Sequence, residues 1–335
     1  MWLINTETLE LKNITSPWKG SYAVLSHTWE DEEITFQKFS DLASARNTRG
    51  FTKIEKTCQL AKEKYGLEYA WVDTCCIDKT SSAELSEAIN SMYRWYQAAA
   101  VCFVYLSDMP PNPDGISHGP GEDDAGIKDL THERLGKCKW FTRCWTLQEL
   151  LAPKNVEFYD AGWDFIETKN LWLLEPLSDI TGINTACLRN GSQIWDQPIG
   201  TRMQWASNRR ATRPEDTAYC LLGIFDINMP LLYGEGSKAF LRLQEEICKQ
   251  TNDLSLFAWT TQPGDASSLF DDYRGILATH PCEFAGFREI ERRPDEVTFR
   301  GELAVTNKGL RFDDIQLYNS EEYENGSAWS IFCLT

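Results

Sequence analysis

The sequence predicts an α/β fold: a doubly wound, mostly parallel sheet, then a helical extension, then a small C-terminal β-rich region. Three observations carry that expectation. From about residue 20 to 165, short apolar runs alternate with segments of helical periodicity, the pattern of parallel strands joined by crossover helices. From 166 to 252 the spacing is helical. Beyond Asp253, short apolar runs alternate with Gly-, Pro- and Asp-rich turns. The implied division is 1–165, 166–252 and 253–335, with the extension packed on the first part.

Tyr22–Ser26 reads as a buried strand, and Ile34–Leu42 has weak helical spacing. Phe51–Tyr65 is a stronger helix, with Ile54, Cys58, Leu60, Ala61 and Tyr65 at helical intervals and Gly66 to end it. Tyr69–Val72 is the next strand. Ser81-Ser-Ala-Glu84 is a capping box that opens a helix with Leu85, Ala88, Ile89, Met92, Tyr96 and Ala99 on one face. Val101–Leu106 is a strand, 110–129 an exposed loop, Trp140–Leu151 mostly helix, and Val156–Tyr159 a strand. Leu171–Leu188, Thr201–Ile227 and Ser237–Gln250 read as helical, with a second capping box at Thr212-Arg-Pro-Glu215. The runs at 256–259, 275–278 and 303–305 are the candidate strands of the last region. The chain stops in the apolar run Ile331–Thr335, which suggests a piece of a longer protein; a docked final strand is the alternative.

The formal charge of -17 argues against nucleic acid or an anionic membrane as the main partner, while leaving room for an anionic small ligand at a local cation. Met1–Asn13 has acids and no long apolar core, so it does not read as a signal peptide, and no stretch has the length of a membrane span. The 11 cysteines include no Cys-x-x-Cys pair. They read as small buried apolar residues in a reducing cytoplasm, without the spacing of a zinc site.

Three segments place polar or aromatic residues where an apolar strand ends: Ser21–Trp29, Glu68–Asp78 and Trp140–Leu151. In open α/β sheets ligands bind at the carboxyl ends of the strands. Ser26, His27, Thr28, Trp29, Asp73 and Glu149 are therefore candidates for one cleft. Ser26 and His27 are adjacent on a strand and point to opposite faces, poor geometry for a nucleophile and its base, and no G-x-S-x-G elbow occurs. Asp73 suits a ribose hydroxyl or a turn equally. Glu149, four residues after Trp145, is either a partly buried catalytic carboxylate or a solvated acid pairing with Arg143. Neither a dinucleotide glycine fingerprint nor a P-loop is present.

At these residues the chain resembles the fungal heterokaryon incompatibility (HET) domain family. The likeness covers SYAVLSHTW, WVDTCCIDKTSSAELSEAINSMYRWYQAAAVCFVYL and WFTRCWTLQELLAP, in family order and spacing. The segment RRATRPEDTAYCLLGIFDINMPLLYGEGSKAFLRLQEEI resembles the extension found in many members, and LAVTNKGLRF a β region that often follows. Where many members carry Asn-Gln, this chain has Asp78-Lys79. HET domains are in turn distantly similar to TIR domains, which implies a TIR/flavodoxin-like sheet. Tyr22–Asp31, Val101–Ser107, and Cys144-Trp145 with Glu149-Leu150 carry that second likeness, with Cys-Trp here in place of Trp-Cys.

The resemblance implies allorecognition, in which non-self contact triggers programmed cell death. It also implies NAD⁺ as substrate rather than as a bound cofactor, with Glu149 as the key acid of cleavage at the nicotinamide–ribose bond. Trp145 or Trp29 would stack on a base, and Ser26, His27, Thr28, Asp73 and Arg143 would line the pocket. Self-association on activation and a sensor domain or partner protein are the expected partners. The alternative is a non-enzymatic signalling module that kills by self-association and recruitment. A weaker one is a nucleoside or nucleotide-sugar transferase.

Overall fold

The computed structural model describes residues 1–15, 19–111, 125–260, 275–287, 303–306 and 309–312. The chain opens with a hairpin, β1 (Trp2–Asn5) and β2 (Leu11–Asn13), then enters β3 (Tyr22–His27). Two short turns of helix, α1 (Phe36–Phe39) and α2 (Leu42–Ala45), precede α3 (Arg49–Tyr65), β4 (Tyr69–Trp71), α4 (Ser82–Ala98) and β5 (Val101–Tyr105). After α5 (Ala125–Gly136) come a 3₁₀ turn (Lys139–Thr142), α6 (Thr146–Leu151), β6 (Val156–Tyr159) and β7 (Phe165–Thr168). The remainder is helical: α7 (Leu174–Thr181), α8 (Thr185–Arg189), α9 (Ile199–Ala206), α10 (Asp216–Tyr219), α11 (Leu222–Phe225) and α12 (Lys238–Cys248), then the hairpin β8 (Leu303–Thr306) and β9 (Gly309–Phe312).

Strands β1 to β7 form one sheet in the order β2-β1-β4-β3-β5-β6-β7. The sheet is mixed rather than mostly parallel. The pairs β3/β4, β3/β5 and β5/β6 are parallel, and β1/β2, β1/β4 and β6/β7 are antiparallel. The N-terminal hairpin and β7, which sequence periodicity did not reveal, supply the antiparallel edges. All six residues of β3 are buried, as a central strand covered on both faces requires.

Side chains leaving β3 sort the helices. Tyr22 and Ser26 reach α4 and α6 on one face, where Tyr22 donates to Trp95 O at 2.6 Å. His27 reaches Lys53 of α3 on the other. The chain runs from β3 to β4 on one side, then returns past β3 to β5. The connections therefore reverse direction between β3 and β5, and in open α/β sheets ligands bind at the carboxyl ends of the strands at such a reversal.

Local chemistry accounts for the element ends. Gly66, at φ 64°, ends α3 in the left-handed conformation and donates to Ala61 O and Lys62 O. Ser81 caps α4 by accepting the Glu84 N–H at 3.3 Å. Glu84 itself accepts from Asp78 N–H rather than from Ser81. The segment Thr212–Glu215 is not a capping box. Thr212 accepts from Arg143, and Glu215 accepts the N–H groups of Gly234 and Gly236 at 2.8 and 3.0 Å. It ties the 226–236 loop down instead of capping a helix.

The region 140–151 is broken rather than one helix. Cys144 N–H donates to Arg210 O and Arg210 N–H to Thr142 O, so the backbone between the 3₁₀ turn and α6 is drawn into a bridge with a distant segment. In the last region, 254–257 is a 3₁₀ turn and 275–278 has no strand partner. The Gln244 side-chain amide bonds both Ala278 O and Ala278 N–H, satisfying backbone that a neighbouring strand would otherwise serve. The helix at 125–136 occupies the end of the segment expected to be loop; residues 112–124 lie outside the described ones.

Candidate functional site

Glu149 lies in the first turn of α6, against the carboxyl end of β3, and is only 7% exposed. Ser26, at the end of β3, donates to its Oε2 and accepts from Trp140 Nε1 at 2.8 Å. The Tyr96 hydroxyl, which donates to Leu25 O at 2.9 Å, also stands against the carboxyl. Burial first, then the neighbouring Asp73 carboxylate, push Glu149 up to about 8. The bond from Ser26, the nearby Tyr96 hydroxyl and the charge of Arg209 act in the opposite direction but do not prevail. Glu149 is thus neither solvated nor paired with Arg143, whose Nη1 donates to Thr212 Oγ1 at 3.1 Å.

Asp73 follows β4, with its side chain 21% exposed. Its two oxygens face His27 Nε2 at 3.2 Å and Trp29 Nε1 at 2.9 Å. Burial raises the Asp73 carboxyl, but the bond and charge of His27, with Lys79 and Trp29 behind them, outweigh it and hold the group below its ordinary value. On the far side of His27, Lys53 Nζ lies 3.3 Å from Nδ1. Lys53 also donates to Thr28 O at 3.2 Å and pairs with Glu33 and Glu30. Gly50 lets this loop approach α3, for a Cβ there would sit 2.6 Å from Glu32 O.

Ser26, His27, Trp29, Asp73 and Glu149 therefore meet at the strand ends. Ser26 and His27 leave β3 in opposite directions, one to Glu149 and the other to Asp73 and Lys53. Thr28 is buried, 3.4 Å from Ser107 Oγ. Trp29 is 51% exposed, and Lys79 Nζ lies 3.6 Å from its ring centroid. Trp145 is half-buried with its indole facing the Asp216 carboxyl. Arg143 points away to Thr212.

Four contributors were not foreseen. Trp140 lies in the same motif as Trp145, and the sequence does not distinguish which of the two reaches the site. Tyr96 read as a core residue of its helix. Lys53, between the apolar positions of its helix, carries no sequence signal of its burial. Arg209 carries no local signal, because only the fold brings it near Glu149. Among the described residues no group of three or more His, Cys, Asp or Glu is placed to hold a metal ion. Nine of the ten described cysteines are buried, and none of the ten is in a disulfide. No helix among the described residues is long and apolar enough to cross a membrane.

Comparison with known proteins bears on the same residues. The chain is 42% identical over 264 residues to the vegetative incompatibility protein HET-E-1 of Podospora anserina, covering 78% of this chain and 18% of that protein's length. A family described as a domain of unknown function (DUF8212) matches residues 238–298. No solved structure matches. The family model of the heterokaryon incompatibility protein (HET) matches residues 22–149, from the strand bearing Ser26 to Glu149 itself. Residues 22–149 of this chain therefore belong to the heterokaryon incompatibility (HET) family.

Proposed function

We propose that the chain is the effector portion of a heterokaryon incompatibility protein, and that it triggers cell death by cleaving NAD⁺ at the nicotinamide–ribose bond. The likeness to HET-E-1, named as a vegetative incompatibility protein, supports the first part. One observation carries the second: a buried carboxyl at the strand ends whose ionisation is shifted to about 8. Shifted carboxyls in a crevice are a mark of functional sites. The four parallel strands, in the order β4-β3-β5-β6 with helices on both faces, support a doubly wound, TIR/flavodoxin-like core.

In this reading the C1′–N bond breaks and its electron pair leaves with nicotinamide, cancelling the pyridinium charge. The ribosyl centre becomes oxocarbenium-like, and water adds to C1′ with loss of a proton, giving ADP-ribose. Glu149 acts as the carboxylate that binds the ribose and stabilises the positive centre. The cationic nicotinamide of the bound substrate favours ionisation of Glu149, as any nearby positive charge does. Asp73 adds a second negative charge, and Trp29, exposed at the mouth, offers a ring for a base. Activation proceeds through self-association, under control of a sensor domain or partner protein.

The near-complete cover over Glu149 favours one other reading, a non-enzymatic module in which Glu149 is part of the core. Nicotinamide release by purified protein at high concentration separates the two. Release that disappears in Glu149→Gln supports the enzyme. A folded, self-associated protein without release, whose Glu149→Gln variant still kills, leaves the signalling module.

A further inference from the structure

The family match ends at Glu149, yet a buried cation facing that residue comes from the turn after α9. Arg209 is 5% exposed. Its Nη1 donates to Thr146 Oγ1 at 2.8 Å and to Arg143 O at 3.0 Å, and its Nε to Trp205 O at 3.3 Å. Thr146 opens α6, so the guanidinium is fastened to the helical turn that holds Glu149. The backbone repeats the attachment, Cys144 N–H to Arg210 O at 3.0 Å and Arg210 N–H to Thr142 O at 2.7 Å. Among the described residues, no carboxylate lies within 4.0 Å of Arg209. A buried guanidinium without an ion pair is costly, and its retention calls for a use.

We propose that Arg209 is the positioning residue of the Glu149 site: it fixes the first turn of α6, on which Glu149 stands, and sets a buried positive charge beside that turn. The functional unit then extends beyond the matched HET segment to the turn after α9. The term "site" here rests on the reading of Glu149 as the key acid. The groups that act on that carboxyl are Ser26 of β3, Asp73 beyond β4, Tyr96 of α4, Cys102 of β5 and Arg209. Asp73 opposes ionisation and Arg209 favours it. Without the guanidinium, Asp73 is opposed only by hydrogen bonds, and Glu149 ionises at higher pH.

Infrared titration of the full chain tests this. The carboxylic-acid C=O band of Glu149 is assigned by its loss in Glu149→Gln and followed with pH in wild type, Arg209→Gln and Arg209→Lys. The glutamine keeps a donor for Thr146 and drops the charge. The midpoint in Arg209→Gln should rise above that of wild type, whereas Arg209→Lys should stay nearer wild type. An unmoved midpoint in folded Arg209→Gln overturns the proposal. If that variant does not fold, the wild type decides. The NMR signals of the Arg209 guanidinium should titrate with the Glu149 band, and flat signals overturn the proposal. Nicotinamide release from NAD⁺ is read in parallel. A shifted band with no release in wild type keeps Arg209 in its role and removes the NAD⁺ reading; release with an unshifted band does the reverse.

Discussion

Glu149 and Glu157 are both buried beside the same sheet, at 7% and 4% exposure, and their surroundings differ in kind. Glu157, on β6, accepts from Lys64 Nζ at 2.7 Å, from the Tyr159 hydroxyl at 2.7 Å and from the Tyr65 hydroxyl. Both of its oxygens are served by donors, one of them a cation that reaches solvent. Glu149 is bonded by Ser26, bordered by Tyr96, and held beside another acid, while Arg209, the cation that acts on it, is fastened to other partners. A fully served carboxylate stabilises a fold. One kept short of donors and next to a like charge costs stability, and such arrangements concentrate at sites of chemistry. The two glutamates thus separate scaffold from candidate site within one sheet.

The largest expected effect is on activity. Glu149→Gln should lower nicotinamide release from NAD⁺ by roughly a hundredfold or more, the scale seen when one electrostatic stabiliser is removed. In wild type, kcat/KM should rise with pH to a plateau with a midpoint near about 8, because the free enzyme must lose the Glu149 proton. A flat profile from pH 6 to 9 in an active enzyme would remove Glu149 as the ionising group.

The next effect is on stability, and its sign is fixed by linkage. The folded carboxyl titrates near about 8 and the unfolded one near 4.5. Below about pH 4.5 both states are protonated. Between the two values the unfolded state loses its proton first, so stability falls with rising pH by at most about 1.4 kcal/mol per unit. Glutamine mimics the protonated form and removes this loss. Glu149→Gln should therefore be near neutral at pH 5 and more stable than wild type by up to about 4 kcal/mol at pH 8, measured by urea unfolding. Equal stability of the two proteins at pH 8 would place Glu149 in the same class as Glu157.

Glu157→Leu should act in the opposite sense. It strips the acceptor from two phenols, Tyr65 and Tyr159, and from Lys64, and should cost about 2 kcal/mol while leaving nicotinamide release per folded molecule unchanged. A loss of release beyond the unfolded fraction would blur the line between scaffold and site.

Much of this contrast was legible in the sequence, and the reasons for the remainder are physical. β3, α3, β4, α4, β5 and β6 follow from apolar runs and helical spacing, with Gly66 and Ser81 marking ends. The edge strands were not legible, because β1 and β2 span only four and three residues and β7 is half-buried throughout. Glu149 and Ser26 were visible as polar residues at the ends of apolar segments. Arg209 and Lys53 were not, since burial of a cation leaves no trace in local periodicity. Thr212-Arg-Pro-Glu215 matched a capping pattern, but Glu215 found better partners in the amides of Gly234 and Gly236.

The smallest effect tests the hinge of the comparison, the Ser26 hydroxyl. It serves Glu149 with its proton and Trp140 with its lone pair. Ser26→Ala leaves the buried Trp140 N–H without its acceptor, which should cost about 1 kcal/mol or somewhat more. It also withdraws a bond that favours the Glu149 carboxylate, so the carboxyl should titrate above its wild-type midpoint. The activity profile should move the same way, with kcat/KM at pH 7 reduced a few-fold and largely restored at pH 9. Recovery at high pH is the decisive part. A variant that is equally impaired at both pH values has lost geometry, and Ser26 is then scaffold; one that recovers has lost a proton-releasing partner, and Ser26 belongs with Glu149.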